Sequence, residues 1–287
     1  MTHLMSGHRN VWKILVMVTG LSSITGVEAG EGAPFTEQQK ADAVVRLLKS
    51  FGGSDPHALD VVDQHRYVQH NPRVEDGLAG LKKRLATLPL GSHVKVVRVL
   101  ADGDFIITHS ELEFSRPYVA FDMFRFVGNR IVEHWDNVEV KCEIPNASGR
   151  TQLDGPTEVT DRDKTESNKA LVREYFEVVV IDGHRDRATQ YRTEFHQHNC
   201  FGEDNKSGFQ TASGPFAKPG FIYRVDKLHT VLGQGNFVLA VSEGLYDNKP
   251  SMFYDFYRLE NNMMVEHWDV IEEIPPKQEW KNSNGKF

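Results

Sequence analysis

Hydrophobic positions change their spacing partway along this chain, and the same change recurs in its second half. Behind Thr36, the residues Val44, Val45, Leu47, Leu48 and Phe51 recur at helical spacing until Gly52 and Gly53 stop the run. A short polar helix is expected near residues 57–63, and Leu78, Leu81 and Leu85 form a further stripe within residues 77–88. The period then falls to two. Strands are expected over residues 94–100, 105–114, 118–126 and 130–140, with Asp102-Gly103 and Gly128-Asn129 as hairpin turn pairs. The pattern restarts at Asn168 with Leu171, Val172, Tyr175, Phe176 and Val179, stops at Gly183, and predicts another short polar helix at residues 185–191. Residues 202–220 replace the further stripe with Gly, Ser and Pro, which predicts a rearranged loop. Helices followed by an antiparallel meander make an α+β order.

The restart is a repeat in the letters themselves. Ile131-Val132-Glu133-His134-Trp135-Asp136 returns as Met264-Val265-Glu266-His267-Trp268-Asp269, and Tyr67, Gln69, His70, Asn71 align with Phe195, Gln197, His198, Asn199. A period of domain length implies two copies of one domain and not a solenoid. We divide the chain into a signal peptide (1–29), a first domain (35–146), a polar linker (147–164), a second domain (165–276) and a tail (277–287). His8, Arg9 and Lys13 precede an apolar run over residues 14–18, and Val27-Glu28-Ala29 resembles a cleavage site. A secreted or periplasmic protein is therefore expected, with no membrane contact after cleavage. An uncleaved anchor is the alternative, against which the run falls short of the roughly 20 apolar residues a span needs.

Composition narrows the function classes. With 287 residues, 39% hydrophobic and 25% charged, the chain can fill two modest cores. Its formal net charge of -7 is spread without a basic block, so no nucleic-acid partner is expected. Cys142 and Cys200 are too few for a disulfide framework; two free thiols are the expectation, with one interdomain bridge left open. The chain has 13 histidines but neither a His-Glu-x-x-His nor a paired-Cys motif, so no metal is expected. Nor does it carry a nucleophile elbow, phosphate loop or dinucleotide fingerprint, and no cofactor is expected.

Gln69-His70-Asn71-Pro72, Ala101-Asp102-Gly103-Asp104, Asp122-x-Phe124-Arg125-Phe126, Gly128 and the last-strand phrase together resemble the SnoaL-like polyketide cyclase branch of the NTF2-like superfamily. The resemblance covers nearly all of both copies. The second keeps His198, Asp255, Arg258 and the final phrase, but has Cys200 for the proline and Gly233-Gln234-Gly235-Asn236 for the Asp-Gly turn. It implies two tandem cone-shaped α+β barrels, each with helices packed on a curled antiparallel sheet around a pocket. Members include cyclases that close rings by aldol condensation without cofactor or metal, and in related enzymes the last-strand aspartate, here Asp136 or Asp269, is the acid or base. Single-domain relatives commonly dimerise through their sheets, which implies an intramolecular pseudo-dimer here.

Strand alternation nominates the site. His134 and Asp136 lie two apart and share a face, with Cα atoms roughly 7 Å apart. Counting outward from Gly128-Asn129 sets Phe121 opposite Asp136 and Met123 opposite His134, so Phe121 and Met123 would wall the pocket, with Asp122 on the reverse side. Such walls raise an aspartate's pKa toward that of a general base. Asp136 would take a proton beside a carbonyl, with His134 or His70 holding the developing oxyanion. The second copy offers Asp269, His267 and His198, with Tyr254 counted opposite Asp269, while His109 becomes Val241. The first pocket is expected to be the more active. Glu111 and Glu243 read as rim charges, Trp135 and Trp268 as core or interface anchors.

Two readings remain at this stage. One is a cofactor-independent aldol cyclase, isomerase or dehydratase acting on a small apolar carbonyl compound. The other is an exported protein that binds a small ligand or scaffolds a partner.

Overall fold

Thr36 starts the first helix as expected: its hydroxyl accepts from the Gln39 N–H and the Gln39 side chain accepts from the Thr36 N–H, forming a capping box. The computed structural model describes residues 33–53, 55–205 and 218–287; the expected signal peptide and most of the Gly-, Ser- and Pro-rich segment lie outside the described residues. The first copy contains α1 (Glu37–Lys49), a 3-10 turn (Ala58–Val61), β1 (Val68–Gln69), α2 (Gly77–Ala86), β2 (His93–Asp102), β3 (Phe105–Glu113), β4 (Pro117–Val127) and β5 (Arg130–Val140). The second contains α3 (Thr165–Tyr175), a π-helical continuation (Phe176–Ile181), a 3-10 turn (Arg185–Gln190), β6 (Arg192–Gln197), β7 (Tyr223–Gln234), β8 (Phe237–Tyr246), β9 (Lys249–Glu260) and β10 (Met263–Glu273). α3 starts before Asn168, whose buried amide instead donates to the Gly235 carbonyl at 2.8 Å.

Each copy forms a five-stranded sheet, in the orders β1-β5-β4-β3-β2 and β6-β10-β9-β8-β7. The four long strands of each are antiparallel, but β1 and β6 pair parallel to β5 and β10, so the sheets are mixed and not purely antiparallel. This short strand sets Gln69 beside His134 and Gln197 beside His267.

The two faces of each sheet do different work. The concave face packs under its own helices, with Val44, Leu47, Leu48 and Leu81 on Ile106, Leu112 and Phe124 in the first copy, and Val172, Phe176 and Val179 on Val231, Ala240 and Tyr257 in the second. The opposite faces share one core, where Phe121, Met123 and Trp135 meet Leu239, Tyr254, Phe256 and Trp268. Phe121 and Phe256 lie 5.2 Å apart between ring centroids. At about 25 cal/mol per Å² of apolar surface removed from water, this shared core favours association of the copies.

One turn count fails. Val127 pairs with Arg130 as expected, but the register shifts at Val132, so Arg125 opposes Glu133, Asp122 opposes Asp136 and Phe124 opposes His134. A bulge of one residue exchanges the faces of everything beyond it. Phe121 and Met123 therefore belong to the inter-sheet core and not to a pocket with Asp136. Val265 makes the same bulge in β10, which puts Asp255 and not Tyr254 opposite Asp269.

Cys142 and Cys200 form a disulfide, which corrects the expectation of free thiols. The linker doubles back over the second sheet, where Asn146 donates to the carbonyls of Gln197 and Asn199, and this brings the two cysteines together.

Candidate functional site

The bulge adds a third group to the expected pair. Asp122, His134 and Asp136 on the concave face of the first sheet bring one ligand-capable atom each within 4.8 Å of one another, and Asp255, His267 and Asp269 repeat the arrangement in the second. His134 has Nε2 3.0 Å from Asp122 Oδ1 and Nδ1 3.3 Å from Gln69 Oε1; His267 has Nε2 3.0 Å from Asp255 Oδ1 and Nδ1 2.8 Å from Gln197 Oε1. Gln69 Oε1 also accepts the Asn71 N–H, which confirms that it is the amide oxygen facing the ring. With both ring nitrogens facing oxygens, the imidazole and the carboxyl hold a proton between them. Asn71 and Asn199 each donate their side-chain N–H to the outer aspartate, Asp136 or Asp269.

The surroundings then differ. Residues 280–287 cross the first site: Asn284 donates to the Gln69 carbonyl at 3.0 Å, and Gly285 O lies 3.2 Å from His70 Nδ1. The next residue, Lys286, is 4% exposed and sets Nζ 2.6 Å from Glu272 and 3.4 Å from Asp136. Residues 146–154 take the same path over the second site, with Thr151 O 2.8 Å from His198 Nδ1 and Gln152 bonded to Glu139. Gln152 thus stands where the first copy has Lys286. The glutamates cross between copies, because Glu272 accepts the Val138 N–H and Glu139 the Ile271 N–H.

These differences push the carboxyls apart. Burial drives Asp136 upward, but the charges of Lys286 and His134 and the Asn71 bond outweigh it and hold the group below the usual carboxylate range. This reverses the expected direction for Asp136. Asp122 is raised by burial, which its bond to His134 does not cancel. In the second copy burial, together with the charge of Asp255, raises Asp269 despite His267 and Asn199. Glu139 is pushed up to about 8 by burial and by Asp269.

The first site opens onto a cavity of about 1000 Å³ whose walls include Leu48, Leu81, Leu85 and Phe114 as well as Asp122, His134 and Asp136. In the second copy Tyr175 and Tyr223, whose hydroxyls feel the charge of Asp255, border a cavity of about 370 Å³.

The other nominated residues lie elsewhere. His70 and His198 are behind the sheet, bonded to Glu133 and Glu266 at 2.8 Å and stacked on Trp135 and Trp268 with centroids 4.5 Å apart. His109 stacks on Phe121 in the inter-sheet core, accepts from Arg98, and is pushed well below the usual histidine range by burial. Tyr254 is buried in that same core, away from Asp269. Sequence reasoning missed Asp122, Asp255, Gln69 as a ring partner, Lys286 and the crossed glutamates. The adjacent Ile131 and Val132, both apolar in an alternating strand, are the one signal of the bulge.

No protein-family model matches this chain, and no curated protein matches it. Solved structures do. TsrD from Streptomyces laurentii is 17% identical over 37% of this chain and 91% of its own, with a TM-score of 0.33. An NTF-2 like protein of unknown function from Burkholderia xenovorans LB400 is 16% identical over 38% and 90%, with a TM-score of 0.32. A protein provisionally named a SnoaL-like polyketide cyclase, from Jannaschia sp. CCS1, is 15% identical over 38% and 92%, with a TM-score of 0.32. Each match covers between 37% and 38% of this chain.

Proposed function

We propose that the first copy is an acid–base enzyme that moves a proton at a carbon beside the carbonyl of a small apolar compound, in a reaction of the aldol, isomerase or dehydratase kind. The observation that carries this reading is the pair of carboxyls on one cavity, lined by Leu48, Leu81, Leu85 and Phe114 and by charged side chains such as Arg84 and Arg116, whose environments separate them. Asp136, held ionised by Lys286 with a lower proton affinity than burial alone would give it, is assigned as the base by its charge and position; Asp122, raised by burial and sharing a proton with His134, is assigned as the acid. The base takes the proton from carbon as the acid donates to the carbonyl oxygen, giving an enol whose collapse delivers the product. Proton transfer of this kind uses only the chain's own side chains.

Deuterium uptake from heavy water tests this without knowledge of the product. A panel of small apolar ketones and unsaturated ketones should include one whose α-carbon exchanges with the native chain and not with Asp136→Asn. Equal exchange with both proteins would end the reading. The Lys286–Asp136 pair favours one alternative, binding without turnover, in which ketones protect the chain against heat but never exchange. We also propose that the protein works outside the cytoplasm, a reading supported by its one disulfide; recovery of the mature chain only from the cytoplasmic fraction would refute it.

A further inference from the structure

Beside the Lys286-to-Gln152 change, the two sites differ at one further point, and both changes remove a hydrogen-bond or charge donor from the second. In the first, Thr108 Oγ1 lies 3.4 Å from Asp122 Oδ2 and donates to it; Ala240 takes the place of Thr108 beside Asp255. Asp255 is 6% exposed, and its Oδ2 has no hydrogen-bond partner among the described residues. The ammonium of Lys286 is likewise replaced by the neutral amide of Gln152. Among the described residues no Lys or Arg forms an ion pair with Asp255, Asp269 or Glu139, so three carboxyls gather there without the cation that balances the first site.

What remains is the donor set of a metal site. We propose that Asp255, His267 and Asp269 bind one divalent transition-metal ion, such as Mn²⁺ or Zn²⁺, in the second copy. One imidazole and two carboxylates suit such ions. Tetrahedral donors about 2.1 Å from one ion lie roughly 3.4 Å apart, so donors now within 4.8 Å of one another draw together by up to about 1.4 Å on binding. The supporting contacts are present: His267 Nδ1 donates to Gln197 Oε1 at 2.8 Å, which leaves Nε2 to face the ion, and Asn199 holds both oxygens of Asp269. The ion replaces the Asp255–His267 hydrogen bond and supplies the positive charge missing beside a carboxyl whose second oxygen is unpartnered among the described residues, with Glu139 at the edge of the site. In the first copy Lys286 occupies this electrostatic role. The inference concerns the second site alone and stands or falls apart from proton transfer in the first.

The test is metal titration of the chelator-treated full chain by calorimetry with Mn²⁺ and Zn²⁺, with bound metal counted after gel filtration. One ion per native chain is expected. Gln152→Lys, which leaves every proposed ligand in place and supplies the cation of the first site, should weaken binding roughly 10- to 100-fold, and Asp255→Asn, which removes a ligand, should weaken it at least as much. Should Asp255→Asn fail to fold, Gln152→Lys still decides. No binding by the native chain, or binding that Gln152→Lys leaves intact, overturns the proposal.

Discussion

The two copies carry the same His-Trp-Asp strand, the same bulge and the same Asn and Gln partners, yet their charges are arranged in opposite ways. Lys286 and Thr108 complete the first cluster; Gln152 and Ala240 leave the second short of donors. As a result Asp136 is held low while Asp269 is raised. Duplication has kept the backbone that gathers these groups and changed only what surrounds them. Two substitutions just outside a geometry shared by both copies are enough to leave one cluster without the Lys that balances the other.

The largest effect expected from breaking this comparison is on exchange chemistry. Asp136→Asn should slow α-carbon exchange by roughly 10²- to 10⁴-fold, the usual worth of a general base, while Asp269→Asn should change it by less than about twofold. A comparable loss from Asp269→Asn would move the chemistry to the second copy. Next comes the strap over the second site, which is tied covalently by Cys200 where the first copy has Pro72. Opening this link with Cys142→Ser and Cys200→Ser should cost about 4 kcal/mol in denaturant unfolding, from the chain entropy of a loop of this length.

Lys286→Met should follow, at about 3 kcal/mol, because it strips a buried cation from two carboxyls. Its pH signature has a definite sign. Asp136 is depressed in the folded chain, so its contribution is present above the ordinary aspartate value and is lost as pH falls through the folded value. Lys286 is raised because Glu272 and Asp136 outweigh its burial; its contribution is present below the ordinary lysine value and is lost as pH rises through the folded one. Lys286→Met should therefore move the acid limb of kcat/KM to higher pH. An unmoved limb would show that Asp136 is not the base. The smallest effect is that of Thr108→Ala, which removes one hydroxyl from Asp122 at about 1 kcal/mol and should move the alkaline limb slightly upward.

Much of the fold was legible, because periods of 3.6 and 2 follow from which side chains meet the core. α1, α2 and the four long strands of the first copy lie close to their expected bounds, and the second copy repeats their order without the α2 stripe. The site was legible only in part. His134 with Asp136, and His267 with Asp269, share faces because residues two apart must, but the opposite strand was misassigned since counting from a turn assumes no bulge. Lys286 was invisible because the polar segment that carries it has no period, and its place comes from long-range bonds such as Asn284 to Gln69. The Cys142–Cys200 pairing depends on the path of an irregular linker, which local sequence does not encode.

The most direct measurement is a carboxyl-carbon NMR titration of Asp122 and Asp136, assigned with Asp122→Asn and Asp136→Asn and repeated in Lys286→Met. The account predicts that Asp136 titrates below the ordinary aspartate value and Asp122 above it, and that Lys286→Met raises Asp136. Two carboxyls titrating in the opposite order, or an Asp136 indifferent to the loss of Lys286, would contradict it.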